Sequence, residues 1–333
     1  MSVVSKPDTQ PRWQPGTTLP ILQARAQLLQ QIRLFFAKRN VLEVETPLLG
    51  RCFGTDPAIE PFQSGYPSLH AANCRTLYLQ SSPEFYMKRL LAAGSGPIYQ
   101  VCKAFRNGEA GRRHNPEFSL LEWYRPGFTT QQLMDEVVAL LGNILGNRSP
   151  LVEFHTYADL FTGQCQLDVF TADNAMLQAC AIAHQIPDAA RLQLDKDGWL
   201  NLLMTCCIEP QFTPEHLTFI TDYPASQAAL AALNPQDTRT AARFELFYQG
   251  LELANGFQEL TDAAQQTTRC TADNVLREEN HQQRLPIDTA FLAALHAGMP
   301  ACAGVAVGLD RVLMSKLSLA DIDHVQTFSL ERA

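Results

Sequence analysis

The sequence predicts an α+β fold, antiparallel strands flanked by helices, and three stretches carry that expectation. IYQVCKAFR (Ile98 to Arg106) and EFSLLEWY (Glu117 to Tyr124) are strand-like runs on either side of a polar loop. RFELFYQGLELANGFQEL (Arg243 to Leu260) reads as two strands around a Gln249–Gly250 turn. GVAVGLDRVLMSKL, beginning at Gly304, is a glycine-bearing strand that runs straight into a helix.

The remaining elements follow in chain order. Residues 1–16 are polar and proline-rich and predict a flexible leader. No boundary within 17–333 has the composition of a linker, so that stretch predicts one domain. Between Ile21 and Arg39, Leu22, Ala26, Leu29, Ile32 and Phe36 recur at three- and four-residue spacing, which predicts an amphipathic helix. VLEVETP (Val41 to Pro47) predicts a strand stopped by proline. Ser81 to Gly94 is a punctuated helix: Ser82 caps it, Pro83 takes the first helical position and Gly94 ends it. Residues 129–205 are expected to be mostly helical, without a site-like cluster, and His155 and His184 stand alone there. Asp262 to Arg284 predicts a charged, solvated helix.

Composition narrows the function classes. Hydrophobic residues make up 46% and charged residues 18%, ordinary values for a folded globular chain. No apolar run approaches the roughly 18–20 residues of a membrane span, and the N-terminus lacks the apolar segment of a signal peptide. A cytoplasmic protein without membrane contact is expected. The nine cysteines form no CxxC pair, and their odd count argues against a disulfide framework. A net charge of -8 disfavours nucleic acid as the main partner, since phosphate binding needs a basic face.

The chemistry is concentrated in Phe105 to Tyr124, FRNGEAGRRHNPEFSLLEWY. Arginines, acids, a histidine and aromatics packed this closely suit a strand-loop-strand that grips a nucleotide on one side and a cationic substrate on the other. The phosphate loop GxxxxGK[ST], the dinucleotide fingerprint GxGxxG and the HExxH zinc motif are absent. Instead VLEVETP, SPEFYMKRL, FRN, RHNPEF, LEWY, ELANGFQEL and GVAVGLDR occur in order. Together they resemble the three motifs of the class II aminoacyl-tRNA synthetases, in the form used by the lysine enzymes, over essentially all of 20–333.

That resemblance implies activation of an amino acid with ATP and Mg²⁺. Arg106 matches the motif 2 arginine on the α-phosphate, and Arg311 the motif 3 arginine that reaches the γ-phosphate. Both would be catalytic, because pyrophosphate leaves carrying new charge. Asn107, Gly108, Glu109, His114 and Asn115 match the loop around phosphates and adenine, and Phe118 the ring that stacks on adenine. Leu253 and Gly308 complete the implied ATP site. Glu252 and Glu259 match two acids that hold magnesium, hard oxygen ligands suited to that ion. On the amino-acid side, Glu122 and Tyr124 match residues that bind a side-chain ammonium, and Glu84 the acid facing the backbone amine. Ser82, Pro83, Asn255, Glu259 and Ala306 complete the implied substrate pocket.

Departures from the synthetase pattern refine the expectation. Lysyl-tRNA synthetases carry an N-terminal anticodon domain of about a hundred residues, whereas motif 1 here begins near residue 21, so none is expected. Ser82 stands where they usually have alanine, and Ala306 where they usually have glycine. TDYPASQAALA replaces their YPxxxSPLA. In these features the chain resembles the elongation factor P–lysine ligases, paralogues of lysyl-tRNA synthetase. They imply lysine or (R)-β-lysine as substrate, translation elongation factor P rather than tRNA as the expected acceptor, and a homodimer built on motif 1. The alternatives are a minimal lysyl-tRNA synthetase and a catalytically silent regulator. Motif 2 also departs from its Arg-x-Glu form: Gly108 occupies the acid's place. Either Glu109 substitutes through a loop shift or the adenine contact moves to backbone.

Overall fold

Alternation along the two central strands decides which side of the sheet is core. The computed structural model describes residues 13–66, 75–146 and 150–333, so Cys74 and most of the leader lie outside them. In β5 (Ile98–Phe105) and β6 (Glu117–Pro126), which are preceded by α1 (Leu19–Ala37), β1 (Leu42–Glu43), β2 (Leu49–Gly50), β3 (Gln63–Tyr66), β4 (Arg75–Leu79) and α2 (Glu84–Ala92), side chains alternate between two faces. Leu121 and Trp123 point to one face, with Glu122 and Tyr124 on the other. The chain continues through α3 (Thr130–Leu145), β7 (Leu151–Thr156), α4 (Tyr157–Cys165), α5 (Asn174–Ala183), α6 (Lys196–Leu203), β8 (His216–Pro224), β9 (Thr240–Tyr248) and β10 (Leu251–Gln258). It closes with α7 (Ala263–Glu279), α8 (Thr289–Gly298), β11 (Cys302–Gly308) and α9 (Leu309–Leu317).

These strands form one sheet in the order β1-β5-β6-β11-β10-β9-β8-β7. Its two outer pairs, β1 with β5 and β7 with β8, are parallel. The pairs between them are antiparallel. A second sheet runs β2-β4-β3. The α+β expectation therefore holds.

Helices α1, α3 and α9 cover one face of the large sheet and form the main core with Trp123, Val305, Val307 and Phe244. Phe36 of α1 stacks on Tyr99 at 4.4 Å and meets Trp123 edge-on at 5.3 Å. Fully burying side chains of this size contributes about 1.5–3 kcal/mol each. The opposite face, towards α2, carries the polar residues discussed below. Among the described residues no helix is long and apolar enough to cross a membrane.

Several local expectations are corrected by packing. The buried residues of α1 are Leu28, Ile32, Phe35 and Phe36, so the inward stripe is rotated from the one that includes Leu22 and Ala26. VLEVETP contributes only the two residues of β1, because its one partner is the end of β5. Pro83 is the N-cap of α2 rather than its first residue. Helix α7 is not solvated all round: Gln266, Cys270, Asn274 and Arg277 are buried. The Arg277 guanidinium is satisfied there by the carbonyls of Asp56, Ile59 and Gln283 and by Glu60 at 2.8 Å. The expected Gln249–Gly250 turn is present, with φ of 52° and 69°, the left-handed pair that a tight hairpin requires.

Candidate active site

Strand alternation and one helix build an acidic pocket. Glu84 and Lys88 stand one turn apart on α2 and therefore share a face. Lys88 is fully buried, its Nζ 2.5 Å from Glu84 Oε1 and 2.5 Å from Glu259 Oε2. Across the pocket, Glu122 accepts hydrogen bonds from the Ser82 hydroxyl at 2.6 Å and the Tyr124 hydroxyl at 3.1 Å. Ser82 also accepts the Glu84 amide at 3.0 Å, so one hydroxyl caps the helix and orients the pocket acid. Gly304 makes the approach possible: a Cβ there would collide with Glu259 and the Tyr124 ring.

Burial governs the charges in this pocket. It pushes the Glu122 carboxyl up to about 8, and Glu84 adds repulsion. It also raises Glu259, against the pull of Lys88. For Lys88 burial opposes the charged form, but Glu259 and Glu84 outweigh it and the ammonium stays protonated. Glu84 and Glu259 thus share the one ammonium of Lys88, while Glu122 is met by two hydroxyls.

A proton linkage follows. Glu122 is protonated at neutral pH in the empty pocket, and an ammonium that pairs with it must expel that proton. Amine binding should release about one proton near pH 6–7 and tighten up to tenfold per pH unit until about pH 8, then level off. Calorimetry in buffers of different ionisation enthalpy reads the release directly. An affinity unchanged between about pH 6 and 8 would mean that Glu122 is already ionised.

The same sheet face carries a cationic end. Arg311, in the first turn of α9, donates to the Glu252 carbonyl at 2.9 Å, the Glu252 carboxylate at 3.2 Å and His114 Nε2 at 2.7 Å. Burial and then Arg311 lower the His114 pKa, which keeps the ring neutral and able to accept. Arg106 lies 5.1 Å from the Phe118 ring centroid and 3.7 Å from Glu109, and its buried Nε makes no hydrogen bond. Gly108 has φ of +83°, where any side chain costs roughly 1–2 kcal/mol. The loop thus sets Glu109, not residue 108, beside Arg106. Asp310 anchors this end: it accepts the Ser119 amide at 2.7 Å and pairs with Arg25 of α1.

An acid pocket and an arginine pair on one antiparallel sheet are accompanied by clear kinship. The family described as tRNA synthetases class II (D, K and N) matches residues 16–332. The chain belongs to this family. It is also similar to the elongation factor P–(R)-beta-lysine ligase of Pectobacterium carotovorum subsp. carotovorum, 44% identical over 321 residues, 96% of this chain and 98% of that protein. The protein of the same description from Sodalis glossinidius is 46% identical over the same shares.

Within this class II fold the sequence-assigned residues separate into groups. Ala306 stands between Glu122 and Asn255 in the strand register, and Gly308 opposite Leu120, so both line the site face. Asn255 accepts from Arg243 at 3.3 Å. Asn107 is tied by its backbone to Glu60. Asn115 is turned away, donating to the Glu117 carbonyl at 2.7 Å and accepting from the Leu330 amide. Leu253 sits at a bulge in β10 with its side chain in the main core, so its backbone is what it offers a ligand.

Glu252 and Glu259 do not come together, which corrects the expected metal pair. Glu252 stands at the start of β10 and Glu259 just beyond its end, engaged with Arg311 and Lys88 respectively, and seven extended residues span roughly 20 Å. Glu245, across the hairpin, does face Glu252, and Glu209 also lies close enough to repel it. Phe247 stands opposite Glu252, and Glu245 lies two residues from it, so both acids share a face. Glu245 accepts from Tyr223 at 2.7 Å and pairs with Arg243. Burial raises its carboxyl pKa, Arg243 opposes the rise, and Glu252 adds to it. Glu245, Arg243 and Lys88 were missed in the sequence. The hairpin itself was a usable signal, since it folds Glu245 back towards Glu252, and so was the Glu84–Lys88 spacing.

Proposed function

We propose that this chain activates (R)-β-lysine with ATP as an aminoacyl-adenylate and transfers it to the ε-amine of a lysine on translation elongation factor P. The observation that carries the reading is the charge deficit of the pocket. Glu84 and Glu259 share the one charge of Lys88, and Glu122 becomes a third carboxylate when an incoming ammonium expels its proton, which leaves two places for positive charge; a lysine-like substrate brings two ammonium groups. The choice of amino acid and acceptor is supported by the relatives 44–46% identical, which are elongation factor P–(R)-beta-lysine ligases.

The roles follow from position. Glu122, Tyr124, Glu84 and Glu259 orient the amines, and the Ser82 hydroxyl and Ala306 methyl adjust the pocket by one polar and one apolar contact. Arg106 and Arg311 hold phosphate oxygens, and Phe118 offers its ring to adenine in place of the Arg106 guanidinium it faces now. Mg²⁺, when bound, neutralises phosphate charge. Glu252 and Glu245 would hold it, since each supplies a hard carboxylate and the two acids repel each other on one sheet face. An E245Q variant should need about tenfold more Mg²⁺ for half-maximal activity; an unchanged requirement would remove Glu245 from the metal site. Leu34 and Leu42, exposed on α1 and β1, fit a homodimer contact there, testable by the molar mass in solution.

Exchange of pyrophosphate into ATP, run with α-lysine and with (R)-β-lysine, tests the activation step. Transfer of the labelled amino acid to elongation factor P or to tRNA tests the acceptor. Preference for (R)-β-lysine and for the protein is the expected result. Charging of tRNA with α-lysine would establish a minimal lysyl-tRNA synthetase instead, and no exchange with either amino acid would leave a silent paralogue.

A further inference from the structure

Outside the active site, helices α4 and α5 and the π-helical turn Met204–Ile208 enclose a second apolar cluster that is rich in thiols. Cys165 is the last residue of α4, and the chain reverses immediately afterwards through Gln166 at φ 54°. Cys180 and His184 lie one turn apart at the end of α5, so they present their side chains to the same side. The reversal brings that side against Cys165. The two sulfurs and a ring nitrogen of His184 all lie within 4.8 Å of one another. Cys207, on the π turn, adjoins the Cys165 thiol. Burial falls from Cys165 through Cys180 to the exposed His184, which leaves an entry path from solvent. Cys180 and His184 are thus paired by helical spacing, and folding adds Cys165.

We propose that Cys165, Cys180 and His184 form a zinc site, distinct from the magnesium site proposed beside ATP. Two sulfurs and an imidazole are the donor set that selects zinc over magnesium. Around a tetrahedral zinc, such donors stand about 3.5–3.8 Å apart, so side-chain adjustments of an ångström or less would close the site. Binding converts both thiols to thiolates and releases two protons to solvent. The metal would tie α4 to α5, and both helices pack on Ile220, Tyr223 and Phe247 of the sheet.

The test uses the full chain, reduced and freed of metal with a chelator, and titrated with Co²⁺ as a spectroscopic substitute. One ion per chain, thiolate-to-cobalt charge-transfer absorption and displacement by Zn²⁺ are the expected results. His184→Ala, at an exposed position, and Cys180→Ser should each weaken binding at least tenfold while leaving pyrophosphate exchange intact. Absence of the charge-transfer band overturns the proposal. So does binding of equal strength in both variants, which would locate the ion elsewhere.

Discussion

Arg311→Ala should reduce pyrophosphate exchange by about 10²–10³-fold or more, the usual cost of losing one preorganised donor to developing transition-state charge. The residue is fixed by its position in the first turn of α9 and by contacts to Glu252 and His114. It is only partly buried, so the fold should survive its removal and the loss should appear in the rate rather than in the melting temperature. Arg311→Lys keeps the charge but not the planar fork, and should recover only part of the activity. A second readout is independent of turnover. Arg311 helps to depress the His114 pKa, so in the alanine variant that pKa should move back towards its usual value, as followed by NMR. Near-normal exchange would mean that the strand-to-helix junction at Gly308 does not hold phosphate.

Lys88→Met should weaken both the fold and the amino-acid pocket. Methionine nearly matches the buried volume but leaves Glu84 and Glu259 without their shared cation. Removing one partner of a buried ion pair costs about 3–5 kcal/mol, which lowers the melting temperature by roughly 5–15 °C in a chain of this size. The sign with pH is definite. Glu259 has a raised folded-state pKa, and without Lys88 it rises further. The wild type already bears the Glu259 penalty up to its own folded pKa of about 7, so the extra deficit from this group should be flat below about pH 7 and grow as pH rises beyond it towards the higher pKa of the variant. The KM for the amino acid should rise as well, because Glu259 then takes up a proton or changes position. A variant with unchanged melting temperature and KM would show that Lys88 does not organise the pocket.

The parts of the fold legible in the sequence are those whose partners are close in the chain. The β9–β10 hairpin, the β5–β6 pair around the motif 2 loop and the passage from β11 into α9 all follow from local alternation and turn residues. The strands not foreseen are those whose partners are remote or whose pattern is weak. Strand β7 pairs in parallel with β8 (Leu151 with His216), and no turn signal announces such a partner. Helix α7 has the composition of a solvated helix because its buried face is polar. Arg277 is satisfied by the carbonyls of Asp56 and Ile59, far away in sequence, and Asn274 by that of Leu285 in the following loop, and hydrophobic patterning does not register that arrangement.

By itself the sequence determined the chemical repertoire: the order of the motifs, the two arginines, and the acids and tyrosine suited to an amine. Tertiary structure decided the pairings. It set Lys88 between Glu84 and Glu259, turned Glu252 to Glu245 rather than Glu259, withdrew Leu253 into the core, and gathered His184 with two cysteines. The reason is geometric. A bulge in β10, the two-residue alternation of strands and the reversal after α4 determine which side chains share a face, and burial then determines which of them are charged.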